Sequence, residues 1–277
     1  MSDLTYDPES HYDRVIEAWS LLLGDEVHYG AFASGDESLA EASAALTQHM
    51  VAAAALRPGL RVLDVGCGTG TPACLLAAEH GAEVVGITTS SVGVAAAAAR
   101  AERAGLSASA TFMVADGMDN GLPDASFDRA WVLESSHLMR SRDALLAECS
   151  RVLRPGGRLV LCDIVLRRPM PFDDVRRLRE PLALLRDVFG DARMETLETY
   201  RELSEAAGLV AVASTDLTAA TRPTFDRWLA NAAEHHAAVA ASIGQDGWQQ
   251  FVDACGVLAG FWDDGTLGYG LLTADKP

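Results

Sequence analysis

From Arg61 onward, short apolar and β-branched runs alternate with longer Ala/Leu-rich stretches, the pattern of βαβ units around a parallel sheet. The apolar runs predict strands at 61–65 (RVLDV), 82–87 (AEVVGI), 110–115 (ATFMVA), 127–133 (FDRAWVL), 158–165 (RLVLCDIV), 209–215 and 268–273, with helices between them. Ahead of the first strand, His11 to Leu23 and Leu39 to Leu56 carry apolar residues at helical spacing, joined by the glycine-containing stretch GDEVHYGAFASGD. This predicts an α/β fold: a mostly parallel seven-stranded sheet with helices on both faces and a helical cap. Residues 1–57 are read as the cap. Residues 58–277 are read as the sheet-bearing domain, with cap insertions at about 166–195 and 221–262.

The second insertion carries Phe225, Trp228, Trp248, Phe251, Phe261 and Trp262. These rings are candidate walls for a substrate pocket, or they pack the helices onto the sheet.

Composition narrows the partners. Acidic residues outnumber basic ones by 39 to 22, a net charge of −17 that repels phosphate backbones and argues against a nucleic-acid partner. The stretch Met1 to Asp13 lacks the basic-then-apolar order of a signal peptide, and no apolar run approaches the roughly 20 residues of a membrane span, so a cytoplasmic protein without a membrane partner is expected. Cys67, Cys74, Cys149, Cys162 and Cys255 are scattered, with no spacing suited to a metal or a disulfide framework. No metal is expected.

The chemistry begins at Arg61-Val62-Leu63-Asp64-Val65, which runs into Gly66-Cys67-Gly68-Thr69-Gly70 and then Thr71-Pro72 at the head of ACLLAAEHG. Gly66 permits a tight turn, Gly68 lets backbone approach a ligand, and Pro72 suits a first helical position with Thr71 as its cap. Glycines at 66, 68 and 70 depart from the G-x-G-x-x-G order of a dinucleotide site, and Asp64 would repel a pyrophosphate. A cofactor carrying an ammonium and a sulfonium and no phosphate suits the loop better.

This DxGxGxG turn, with the segments that follow it, resembles the class I S-adenosylmethionine-dependent methyltransferases over about Arg61 to Leu166. The resemblance implies a Rossmann-like domain and S-adenosyl-L-methionine as cofactor, with Asp64, Gly66, Cys67, Gly68 and Gly70 in its binding loop. Val114-Ala115-Asp116-Gly117-Met118 is similar to the family's adenine-contacting segment, which implies that Asp116 accepts from the exocyclic amine, beside Gly117 and Met118; an Asp capping a turn is the alternative. Leu122 to Asp128 and Leu153 to Leu159 resemble the turns before strands four and five. Where the family commonly has an acidic ribose ligand, this chain reads Gly86-Ile87-Thr88-Thr89-Ser90-Ser91. Such a turn is similar to that of a subset including sugar, sterol and antibiotic methyltransferases and cyclopropane-forming enzymes, and implies ribose contacts from Thr88, Thr89 and Ser90. Leu23 to Gly30 resembles the L-G-x-x-x-H-x-G stretch of small-molecule members, which implies that Tyr29 closes over the methionine end of the cofactor, with a cation-π contribution to the sulfonium or as a buried cap aromatic.

Methyl transfer is a one-step displacement, so holding the acceptor in line and excluding water are the main tasks. A hydroxyl acceptor must also lose its proton. Trp131-Val132-Leu133-Glu134-Ser135-Ser136-His137 places Glu134 and His137 at the carboxyl edge of the sheet, where this fold binds ligands. His137 is the candidate general base, or else a helix cap; Asp163, at the end of strand five, is its candidate partner. Glu134 is a candidate for both catalysis and cofactor binding.

The leading expectation is O-methylation of a small hydrophobic natural product. Carbon or nitrogen methylation, including a prenyl carbon, and a cyclase that keeps the cofactor as a structural element remain open. A homodimer formed through the cap is compatible with the sequence.

Overall fold

The computed structural model describes residues 18–277. Most of the helix expected at His11 to Leu23 lies outside them; residues 18–23 are helical. Next come α1 (Leu39–Ala53), β1 (Arg61–Val65), α2 (Thr71–His80), β2 (Glu83–Thr88), α3 (Ser91–Arg103), β3 (Ala110–Val114) and β4 (Phe127–Leu133). A 3-10 turn (Ser136–Leu138) leads to α4 (Arg142–Val152) and β5 (Leu153–Leu166). The chain then forms α5 (Phe172–Arg177), α6 (Arg179–Phe189), α7 (Leu197–Ala206), β6 (Val210–Asp216), α8 (Thr218–Thr221), α9 (Thr224–Glu234), α10 (His236–Asp263) and β7 (Leu267–Asp275).

The seven strands lie in the order β3-β2-β1-β4-β5-β7-β6, parallel except for β7, which runs antiparallel to β5 and β6. Alternation along the strands sends side chains into two cores. Val62, Trp131 and Val160 meet the helices of one face, and Leu63, Val65, Val132 and Leu161 those of the other. The order places β1 and β4 side by side at the centre, so the loops after them open onto one crevice where the crossovers diverge to either side.

Two local expectations are corrected. The cap of α2 is Gly70, in the left-handed region at φ 76°, and not Thr71, which is already helical and whose hydroxyl instead donates to the Asp25 carbonyl at 3.2 Å. A side chain at Gly70 would also run into Ala97 and Phe112, so glycine is required there for space as well as for φ. Strand five begins five residues early, at Leu153, because Leu153 pairs with Phe127 across a register shift and the Gly156 and Gly157 backbone extends the pairing with the chain end at Lys276.

Of the aromatics in the second insertion, only Trp228 lines the large cavity described below. Phe225, Phe251, Phe261 and Trp262 are buried against one another and the sheet, and Trp248 is partly buried, its indole N–H donating to the Ala232 carbonyl at 2.7 Å. The wall is made instead by α6, in the first insertion, through Leu182, Leu185 and Phe189.

Candidate active site

The glycine loop is shaped by the neighbouring strand ends. Gly66 and Cys67 both donate their backbone N–H to the Ile87 carbonyl, at 2.8 and 3.0 Å, which turns the chain sharply after β1. Gly66 sits at φ 82°, and a Cβ there would fall 2.2 Å from the Ser135 Cβ. The absent side chain thus lets the loops after β1 and β4 touch, fixed by the Ser135 hydroxyl, which donates to the Val65 carbonyl at 2.6 Å.

These loops border a cavity of about 490 Å³. Of the residues picked out from the sequence, Tyr29, Asp64, Gly66, Cys67, Gly68, Glu134 and His137 line it. Asp163 stands behind His137. Gly70, Thr88, Thr89, Ser90, Asp116, Gly117 and Met118 lie outside its walls, the last six at the carboxyl ends of β2 and β3 on the same edge of the sheet. There Thr88 Oγ1 accepts from the Ser90 N–H at 3.3 Å, and Ser90 Oγ caps α3 by accepting from Gly93 at 2.9 Å. Asp116 Oδ1 accepts from the Met118 N–H at 2.9 Å, so the turn-capping role is present in the structure.

Three residues around the cavity keep a buried polar atom without a hydrogen-bond partner among the described residues: Asp64 at Oδ2, Tyr29 at its hydroxyl and Trp228 at its indole N–H. Asp64 is 2% exposed. Burial pushes its carboxyl up to about 7. A buried, unpartnered carboxylate beside a glycine turn suits an ammonium ligand, and it opposes a phosphate. The donor set thus fits the methionine end of S-adenosylmethionine.

His137 falls in the 3-10 turn after β4 and is buried. It does not cap α4, whose N-cap is Ser141. Its Nδ1 lies 2.6 Å from Asp163 Oδ1, and its backbone N–H donates to Asp163 Oδ2 at 3.1 Å. Burial works against charge on the ring, but the adjoining Asp163 carboxylate outweighs it and His137 lies above its ordinary value. Burial alone would raise Asp163; the imidazole and the donors around it hold it below the usual carboxylate range.

Glu134 has φ 47°, an uncommon conformation for a side chain of its size and one that concentrates at ligand sites. Its Oε1 accepts from the Tyr29 backbone N–H at 2.8 Å and from the Tyr269 hydroxyl. Burial dominates and raises its carboxyl, against the pull of His28 and of these donors. The Tyr29 ring borders the cavity from within an aromatic cluster, stacked on Trp262 at 5.4 Å and meeting Trp228 edge-on at 4.8 Å.

Sequence reasoning assigned no role to Tyr269, Glu26 or His28, which the structure brings to this site. His28 Nδ1 faces the Tyr29 carbonyl at 2.7 Å and Nε2 faces Glu26 at 2.8 Å, so both ring nitrogens meet acceptors. Despite burial, these partners and Glu134 raise His28, and Glu26 is lowered in turn. The histidine of the L-G-x-x-x-H-x-G stretch was the available signal. For Tyr269, near the start of β7, no local signal exists. Among the described residues no group of three or more potential ligands could hold a metal, and no helix is long and apolar enough to cross a membrane.

Comparison with known proteins agrees with this geometry. Residues 63–161 match the family described as a methyltransferase domain. The sequence is 37% identical to methyltransferase GfsG of Streptomyces halstedii over 96% of this chain and 93% of that protein. It is 35% identical to 27-O-demethylrifamycin SV methyltransferase of Amycolatopsis mediterranei over 96% of this chain and 95% of that one. The crystal structure of the 4+2 cyclase SpnF superposes with a TM-score of 0.83 at 31% identity, covering 97% of this chain and 95% of that chain. With relatives matched over nearly their whole length and a donor set suited to the cofactor, the chain belongs to the class I S-adenosylmethionine-dependent methyltransferases.

Proposed function

We propose that the protein methylates a hydroxyl oxygen of a hydrophobic natural product, with His137 as general base and Asp163 as its partner. The observation that carries this reading is the His137–Asp163 pair on the wall of the cavity, with 2.6 Å between Nδ1 and Oδ1. The carboxylate keeps the proton on Nδ1, which leaves Nε2 as the basic nitrogen for the hydroxyl proton of the acceptor. The resulting imidazolium is then balanced by the fully buried Asp163 carboxylate. The cofactor supplies an electrophilic methyl group on a sulfonium. Asp64 and the loop from Gly66 through Cys67 and Gly68 to Gly70 would hold its methionine end under Tyr29 and Glu134. Thr88, Thr89 and Ser90 would face its ribose, and Asp116, Gly117 and Met118 its adenine. Leu182, Leu185 and Phe189 of α6 support a hydrophobic acceptor, and the name of the 27-O-demethylrifamycin SV methyltransferase relative supports a natural-product hydroxyl.

The reading is tested by the pH dependence of transfer to 27-O-demethylrifamycin SV, the acceptor given by a relative's name. Because His137 is raised above 6.5, the acid limb of kcat/KM should lie above that value. Asp163→Asn removes the raising charge, so the limb should move to lower pH while the plateau falls roughly 10- to 100-fold. A limb that stays in place in this variant contradicts the pairing.

Asp64 provides a second check. An ammonium ligand selects the ionised carboxylate, and the unliganded carboxyl titrates at about 7. Calorimetric affinity for S-adenosylhomocysteine should therefore fall as pH drops below that value, approaching about tenfold per unit. Asp64→Asn should bind more weakly and lose this dependence; an unchanged dependence would remove Asp64 from the cofactor site.

The likeness to the SpnF cyclase favours one other reading, in which the cofactor is retained and the substrate is cyclised. Transfer adds one CH2 to the substrate mass, and cyclisation adds nothing.

A further inference from the structure

Asp163 carries more than the imidazole. Its Oδ1 accepts from His137 Nδ1 at 2.6 Å and from the Ile164 N–H at 2.8 Å. Its Oδ2 accepts from the His137 N–H at 3.1 Å and from the Ser136 hydroxyl at 2.5 Å. Ser136 Oγ in turn lies 2.7 Å from the Tyr200 hydroxyl on α7. A serine has one hydroxyl hydrogen and an ionised carboxylate only accepts, so Ser136 donates to Asp163 and Tyr200 must donate to Ser136. Burial pushes the Tyr200 phenol up, which keeps that proton in place. The chain of donors therefore has one direction: Tyr200 to Ser136 to Asp163, which His137 meets from the other side.

The three partners of His137 in this chain are fully buried. The turn that carries Ser136 and His137 is clamped by Arg142, whose guanidinium donates to the carbonyls of Ser136 and Arg193, while the Arg193 N–H donates to the His137 carbonyl at 2.7 Å. With the geometry fixed in this way, the donors act on charge.

We propose that Ser136 and Tyr200 are positioning residues that set the proton affinity of His137: Ser136, its hydroxyl polarised by the Tyr200 donor, bonds to Oδ2 and draws the Asp163 charge away from the oxygen that faces the imidazole. Without them Asp163 would be the stronger base and would hold His137 as an imidazolium, unable to take a proton at neutral pH. This role rests on the reading of His137 as the base. The other charged groups facing His137 are Glu134 at the end of β4, which favours its charged form, and Arg142 on α4, which opposes it; Glu195 faces Tyr200. All three are retained in the variants below.

The test is a proton NMR titration of the full chain, following the histidine Cε1–H signals with His137 assigned by its loss in His137→Gln. It needs no acceptor. Ser136→Ala should raise the His137 midpoint by roughly one pH unit, and Tyr200→Phe by about half as much. A purely structural role would lower the melting temperature and leave the midpoint in place. Midpoints that are unchanged or lower in both variants, or a wild-type His137 that stays charged up to about pH 9, overturn the proposal. If Ser136→Ala does not fold, Tyr200→Phe, which removes one oxygen at the far end of the chain, decides alone. A raised midpoint in a protein that transfers no methyl group would leave this proposal standing and sink the O-methylation reading. Transfer lost in His137→Ala, with no midpoint shift in either Ser136→Ala or Tyr200→Phe, would do the reverse.

Discussion

His137→Ala should lower the rate of methyl transfer to an alcohol acceptor by roughly 10²- to 10⁴-fold, about 3 to 5 kcal/mol in the activation barrier. The loss should fall on kcat, because the imidazole matters only once the hydroxyl proton begins to leave. Affinity for S-adenosylhomocysteine should stay within about twofold, since the residues proposed to hold it come from the loops after β1, β2 and β3, from the Tyr29 segment and from Glu134, which is held by Tyr29 and Tyr269 and not by the His137 ring. The fold should survive as well. The contacts that pin this turn, from the Arg193 N–H to the His137 carbonyl and from the His137 N–H to Asp163, belong to the backbone and remain. An acceptor analogue whose hydroxyl is already ionised should lose much less than the alcohol. Equal losses with both acceptors, or a parallel loss of cofactor affinity, would mean that His137 shapes the cavity and moves no proton.

Gly66→Ala should damage both the fold and cofactor binding. At φ 82° an alanine is strained by about 1–2 kcal/mol. Its Cβ would also stand 2.2 Å from Ser135 Cβ and 2.5 Å from Ser135 Oγ, contacts that force the loops after β1 and β4 apart at a further cost of about 1–3 kcal/mol. Together these predict a melting temperature lower by about 5–15 °C and no measurable S-adenosylhomocysteine binding. The double variant Gly66→Ala, Ser135→Gly removes the clash and leaves the backbone strain, so part of the stability should return. Full stability in the single variant would contradict the close approach of the two loops.

Much of this architecture is legible from local pattern. The strands follow from apolar runs that only a sheet covered on both faces can bury, and the glycine turn is confined to a few consecutive residues whose spacing carries a steric meaning. His137 and Asp163 could be paired in advance because neighbouring parallel strands bring their carboxyl ends together. What escaped depends on contacts distant in sequence. Tyr200 and Tyr269 reach the site from α7 and β7, and nothing beside them in the chain distinguishes them from packing aromatics. The aromatic residues of 221–262 drew attention as walls, yet their size makes them the best fillers for the space between α9, α10 and the sheet, and most are spent there. The real wall, α6, is an amphipathic helix whose Leu182, Leu185 and Phe189 fall at helical spacing beside Arg179 and Arg186, a pattern that any surface helix shares. Thr71 lost the capping position because Gly70 alone can take the left-handed conformation in the space left by Ala97 and Phe112.

The most direct test of the central claim is to incubate the protein with methyl-deuterated S-adenosylmethionine and a hydrophobic natural-product alcohol, and to analyse the product by mass spectrometry and NMR. The account predicts a product heavier by one CD3 in place of hydrogen, with the label bonded to oxygen, and its loss in His137→Ala. A product of unchanged mass but altered ring structure, or a label bonded to carbon or nitrogen, would contradict it.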